Sequence, residues 1–288
     1  MPETIVILNP AAKSERAAEL VTQIEALAGD GVTIRLTAGS GDARAIARQA
    51  VEAGYRQIVA AGGDGTINEV VNGMAGSEAA LGILPIGSMN VFAAELGLPK
   101  TLRACWETIR TGHTRAIDLP EANGRSFVQL AGVGLDAQIV QETSWDAKRD
   151  FGPLSYLFSA AQIAGRQPPR LRVEHEQGAV EGSFVLIGNG RFYGGPFAVF
   201  PDARVDDGLL DVLVFEKQSY FDIFRYLHGI LFGIHRELHD VTFFRADRLS
   251  VTSETAVPLE VDGEVCGTVP VTFQVHPRRL HVLAPSIA

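Results

Sequence analysis

The sequence predicts a two-domain protein: an α/β domain over residues 1–120, then a mainly antiparallel β-sandwich or barrel-like domain over residues 121–276. Three observations predict it. In the first ~115 residues short β-branched runs alternate with helical periodicity, the pattern of a parallel sheet covered by helices. Polar or Gly-bearing loops recur where those early runs end. After Ala116 strand-like runs cluster, with few helical stretches between them.

Residues 5–8 form a first strand that breaks at Asn9-Pro10, and residues 15–27 place Ala18, Val21, Ile24 and Leu27 at helical spacing. Residues 32–36 are a second strand, ending in a loop at 37–42 before a helix over 43–52. A third strand, 57–61, runs into Gly62-Gly63-Asp64-Gly65 and a helix through Val70. A fourth, 81–84, stops at Pro85, and a helix covers about 90–96. Residues 118–124 offer several turn positions and hold the domain boundary. Beyond it, strands are expected at 126–131, 171–174, 183–187, 209–215, 249–252 and 269–275. Helices are expected at 138–146, 153–164 and 220–238, and the tail from about 277 to 288 is free to return to the first domain.

A net charge of −9 argues against a nucleic-acid partner, which would need a basic face. Cys105 and Cys266 lie far apart without metal spacing, so buried, reduced thiols and a cytoplasmic setting are expected. The seven histidines are scattered, which argues against zinc. The first residues read as a strand and not a signal peptide. The longest apolar stretch, 220–234, is broken by Asp222, Arg225 and His228, so no transmembrane segment is expected. Packing on a sheet is its default, although Arg225, His228, His235 and Arg236 leave room for a membrane-facing role. Trp145 and the aromatics of 151–158 are expected in the second core.

The strongest local signal is a buried strand that enters a Gly-rich turn opening a helix, residues 58–71. Glycines allow close backbone approach, and the helix start offers free N–H groups and a positive dipole end to an anion. Thr66 supplies a hydroxyl, with Asn68 and Glu69 expected in the first helical turn. By itself such a turn is as readily a tight connection. Asp64 among the glycines shifts the balance, because an acid beside phosphates holds a divalent cation or positions a nucleophile. The loops at 9–14 and 85–90 fall on the same predicted sheet edge, so three loops would make one site. No Gly-Lys-Ser/Thr follows, so this is not a Walker A loop.

These residues resemble a family. Gly62 to Glu69 is similar to the GGDGTxNE signature of the diacylglycerol kinase catalytic domain, shared with bacterial lipid kinases, sphingosine kinases and ceramide kinases. Residues 82–90 resemble its LPxGTxND segment, Asn9-Pro10 its NPxxG loop and residues 132–136 its GxGxDA element. Residues 189–201, 206–211 and the closing Asp262-Gly263-Glu264 follow in the family's order. Two departures stand out: no glycine follows Asn9-Pro10, and Ser88 replaces Thr.

The resemblance implies a Rossmann-like, NAD-kinase-like α/β domain joined to a β-sandwich, with the active site in the cleft between them. It implies transfer of the γ-phosphate of ATP, with Mg²⁺, onto a hydroxyl of diacylglycerol or a related lipid met at the membrane surface. Glu264 would be the general base, with Asp64 beside it. Asn9, Thr37, Gly62, Gly63, Asp64, Gly65, Thr66, Asn68, Glu69 and Ser88 would bind the nucleotide. A second Mg²⁺ would take the carboxylate of Asp207 and the carbonyls of Arg204 and Leu209. On residues alone, Asp262-Gly263 and Asp207-Gly208 are equally simple hairpin turns. An NAD kinase and a non-catalytic nucleotide-binding regulator are the alternatives, the acceptor lipid is open, and so is homodimerisation.

Overall fold

The computed structural model describes residues 4–11, 17–29, 31–111, 113–142, 167–195 and 197–286. The helix expected at 153–164, the end of that at 138–146, and Trp145 with the aromatics of 151–158 lie outside them. The chain divides into two compact units, Met1–Leu119 with Pro277–Ala288, and Pro120–His276.

In the first unit β1 (Thr4–Leu8), α1 (Ala17–Ala28), β2 (Thr33–Leu36), α2 (Asp42–Glu52), β3 (Gln57–Gly62), α3 (Asp64–Met74) and β4 (Ala80–Pro85) alternate. The short α4 (Val91–Glu95) and α5 (Leu102–Thr111) follow. The strands run parallel in the order β2-β1-β3-β4. The end of β18 (Val271–Ala284) adds beside β4, pairing His281 with Ala80. Strands covered on both faces read as unbroken apolar runs, and β3 is buried from Ile58 to Gly62. Val6, Leu8, Ile24, Val59, Leu84, Trp106 and Ile109 close one core. Its Trp106 and Ile109 come from α5, a helix not foreseen in the sequence. The order reverses between β1 and β3, the switch point at whose carboxyl edge open α/β sheets bind ligands.

The second unit carries a six-stranded antiparallel sheet, β14-β13-β10-β7-β16-β17. In chain order these are β7 (Leu130–Val133), β10 (Phe184–Gly188), β13 (Leu210–Phe215), β14 (Val241–Ala246), β16 (Pro258–Val261) and β17 (Glu264–Thr268). A second layer runs from the start of β18 through β15 (Arg248–Ser253) and β8 (Leu171–His175) to β9 (Gly178–Gly182). Val133, Val185 and Val212 of the first layer share a core with Val173, Val251 and Phe273 of the second, so the unit is a β-sandwich. On its other face the six-stranded sheet is covered by α6 (Leu135–Glu142) and α7 (Tyr220–Leu231).

Three local expectations change. Residues 118–122 are strand, within β5 (His113–Ala122), and the turn comes at Asn123-Gly124, both with positive φ. The helix expected over 220–238 ends at Leu231, because Gly233 at φ 72° breaks it before a 3-10 turn at His235–Glu237. The strands β9 and β14 were not foreseen: β9 has two glycines in five residues, and β14 lies only three residues past that 3-10 turn.

Candidate active site

At the carboxyl edge of the first unit the predicted loops do come together. The Asn9 N–H donates to Ala61 O at 2.9 Å and that of Thr37 to Leu8 O at 2.9 Å, so both loops leave the sheet side by side. Asn9 Nδ2 donates to the Thr66 hydroxyl at 3.0 Å, joining the first loop to the start of α3. Gly63 and Gly87 meet backbone to backbone: a Cβ on Gly87 would lie 2.5 Å from the Gly63 Cα. Only glycine permits that approach, and it brings the turn at 62–65 against the loop at 85–90. Asn90, at φ 51°, closes its loop by accepting from the Gly87 N–H and donating to the Gly87 carbonyl. Ser88 is exposed at its tip.

Gly63 is the N-cap of α3 and no side chain caps it, leaving the first N–H groups of an eleven-residue helix for an anion. A bare backbone cradle at an uncapped helix start fits a polyphosphate. Asp64 Oδ1 accepts the Phe92 N–H at 3.2 Å, so this acid also holds the start of α4. Burial pushes its carboxyl pKa up, while backbone N–H groups of Phe92, Val91 and Asn90 pull it down. One carboxylate with phosphate oxygens and waters is a donor set that suits Mg²⁺. The LPxGTxND pattern ends in an acid where this chain has Val91, so that position adds no second carboxylate.

Two predicted nucleotide residues serve the frame. The helix begins at Asp64, so Asn68 and Glu69 fall in its second turn and not its first. Asn68 is 1% exposed and bonded to Asn72. Glu69 accepts the N–H groups of Gly41 and Ala43 at 2.8 and 3.0 Å, which ties the start of α2 to α3.

In the second unit, Asp262-Gly263 turns β16 into β17, with φ of 47° and 83°. Glu264 opens β17, and Arg125 Nη2 donates to it at 2.5 Å. Beneath the turn lies a cluster that sequence reading missed. Glu260, 1% exposed, accepts the Gly263 N–H at 2.7 Å and lies beside Asp136, which pairs with the Tyr193 hydroxyl. Burial first, and then the Asp136 charge, push the Glu260 carboxyl well above the usual range. Asp136 stood in a quoted motif and Glu260 lies two residues before another, but only tertiary contact brings them together.

The second cation site fits less well. Asp207 accepts the Leu209 N–H at 3.2 Å and pairs with Arg245, whose guanidinium also reaches Asp211 at 3.3 Å. Arg204 pairs with Asp206 at 3.4 Å. A cation on Asp207 would have to displace a guanidinium already neutralising it. Among the described residues no three His, Cys, Asp or Glu side chains gather to hold a metal.

A family model described as the diacylglycerol kinase catalytic domain matches residues 3–122. One described as the YegS C-terminal NAD kinase beta sandwich-like domain matches residues 129–284. The diacylglycerol kinase of Bacillus subtilis (strain 168) is 30% identical over 99% of this chain and 97% of its own length. That of Staphylococcus aureus (strain JH9) is 31% identical over 85% and 80%. In fold, a Bacillus anthracis str. Sterne crystal structure superposes with a TM-score of 0.84 at 23% identity, covering 98% of this chain and 95% of that one. A diacylglycerol kinase structure from the same organism gives 0.74 at 20%, covering 98% and 97%. The motif order, the two-unit fold and the near-complete coverage agree: the chain belongs to the diacylglycerol kinase family of lipid kinases.

Proposed function

We propose that this chain transfers the γ-phosphoryl group of ATP to the free hydroxyl of a diacylglycerol. The observation that carries the nucleotide half is the Gly63–Gly87 approach beside the uncapped start of α3. The lipid half rests on membership in a family whose relatives are diacylglycerol kinases. Backbone N–H groups of residues 63–66 would bind phosphate oxygens, with Asn9, Thr37 and Ser88 flanking them. Asp64 would hold Mg²⁺, which when bound neutralises phosphate charge.

Glu264 would accept the proton of the lipid hydroxyl as its oxygen bonds to the γ-phosphorus and the bond to the bridging oxygen of ADP breaks. Its side chain is 38% exposed, and Arg125 orients it. Asp262 and Glu260 would keep that turn in place.

The test is radiolabelled ATP with a mixed lipid extract, then with purified diacylglycerol, NAD being offered in parallel. Labelled phosphatidic acid, formed only with a divalent cation, is expected. Labelled NADP in its place would transfer the reading to an NAD kinase. Glu264→Gln should retain nucleotide binding and lose ~10²–10⁴-fold in transfer. Wild-type turnover in that variant would remove Glu264 from the chemistry.

A further inference from the structure

Ten large hydrophobic side chains are exposed among the described residues, and seven of them lie within residues 220–234. Phe221 is 73% exposed, Phe224 70% and Leu231 65%. Tyr220, Phe224, Leu227 and Leu231 follow one another at four, three and four residues, a single stripe along α7. Phe232 and Ile234 continue the exposed apolar surface, in a turn bonded back to the helix through Ile234 N–H to Gly229 O at 2.8 Å.

An ordinary surface helix turns its charges to water, and α7 does the reverse. Its two charged residues are spent on the inner side. Arg225 donates to both oxygens of the buried Asp240, at 2.8 and 2.5 Å, and to Asp222 at 3.2 Å. The Tyr226 hydroxyl donates to Asp240 at 3.0 Å, and Asp222 completes a capping box with Ser219. These bonds fix the rotation of the helix about its axis, so the apolar side is held outward. The polar groups left on residues 220–234 outside this network are the Tyr220 hydroxyl and the His228 ring.

We propose that this face is a membrane-insertion surface, lying flat in the interface of an electrically neutral lipid bilayer. The inference rests on the lipid-kinase reading, since a lipid acceptor must be met where it resides. Area and charge favour the bilayer over a protein. Four aromatic side chains of roughly 150–250 Å², exposed at 60–73%, together with Leu227, Leu231 and Ile234 make a patch at or above the few hundred Å² usual on a monomer. A protein interface of that size would carry about one hydrogen bond per 100–200 Å², more than the Tyr220 hydroxyl and the His228 ring supply. The face carries no unpaired carboxylate or cation, and the chain's net charge of −9 opposes attraction to anionic headgroups, so adhesion would be apolar and insensitive to salt. Twelve residues make a helix about 18 Å long, which can lie in one leaflet but not span ~30 Å. No helix of the described residues is long and apolar enough to cross.

The test is co-sedimentation of the full chain with phosphatidylcholine vesicles, at low and at about 1 M salt. The parent is compared with the triple variant Phe221→Ser, Phe224→Ser, Leu231→Ser. All three positions are exposed, and an unchanged melting temperature would confirm the fold. The parent should bind equally at both salts, and the variant at least about tenfold more weakly. Equal binding by parent and variant, no binding by the parent, or binding abolished by salt would each overturn the proposal. So would a parent dimer that the variant converts to monomer without vesicle binding by either, which would make the face a contact between copies. Transfer to a water-soluble, short-chain diacylglycerol separates the two readings. The variant should keep parental activity there, whereas a parent that binds vesicles yet phosphorylates no lipid would refute only the kinase assignment.

Discussion

Asp262 and Leu130 are joined in both directions: the Asp262 N–H donates to the Leu130 carbonyl at 2.8 Å, and the Leu130 N–H donates to the Asp262 carboxylate at 3.1 Å. The same carboxylate accepts the N–H groups of Val128 and Gln129 at 2.8 and 2.9 Å. The acid of an Asp-Gly turn is thus a clamp that holds the turn, and Glu264 two residues on, to the start of β7. Asp262→Ala should lower unfolding free energy by about 3 kcal/mol or more, from stranded donors and from an alanine that tolerates the positive φ less well than aspartate. Asp262→Asn, which keeps an acceptor oxygen and tolerates that φ, should cost clearly less. Chemical denaturation of both variants measures it, and an alanine variant as stable as the parent would mean the clamp contributes nothing.

Asp64 has two roles that two substitutions separate. Asp64→Asn retains an oxygen for the Phe92 N–H, so its thermal stability should stay close to the parent's. Asp64→Ala loses that cap and should cost about 1 kcal/mol. Transfer should fall ~10²–10³-fold in both, because each lacks the charge. If the Asp64→Asn variant supports parental turnover, the carboxylate is only a cap.

Arg245 and Asp207 decide whether the second unit takes a cation. With the guanidinium in place, melting of the parent should not respond to Mg²⁺ through this segment. Arg245→Ala should be destabilised, and adding Mg²⁺ should restore part of the loss, since the cation then meets a carboxylate without a partner. Asp207→Ala, Arg245→Ala together should show no such rescue. A parent whose melting temperature rises with Mg²⁺, and no longer does so in Asp207→Ala, would show that the cation wins over Arg245.

Acid should weaken the second unit through Asp240, and a rise in pH above the ordinary carboxylate range through Glu260. The Arg225 hydrogen bonds hold the Asp240 pKa at about 2, below the ordinary 3.8. A depressed carboxylate contributes stability that is complete above the unfolded value and lost as pH falls from about 4 to 2, here about 2 kcal/mol. Asp240→Asn should flatten that loss in denaturation curves taken across this range. Glu260 has the opposite sign: its raised pKa favours the protonated form, so stability falls as pH rises through the folded value. Glu260→Gln should remove that fall, and an unchanged pH profile would show that Glu260 does not titrate in the folded protein.

The sequence by itself determined the class of both units and the main nucleotide loops. Alternating buried runs and helical spacing are local patterns, and β3 leading into Gly62-Gly63-Asp64-Gly65 and α3 is a contiguous segment whose conformation glycine chemistry dictates. It also marked Asp262-Gly263 as a tight turn, because both residues tolerate positive φ. What it left undecided are relations between residues far apart in the chain. That Glu69 caps α2, that Asp64 caps α4, that Arg245 neutralises Asp207 and that Glu260 meets Asp136 all depend on which elements come to lie side by side. The outward apolar face of α7 belongs with these. A helical stripe reads the same whether it faces core or solvent, and the Arg225–Asp240 pairing, across fifteen residues, together with the burial of Ile223 and Tyr226 turns it out.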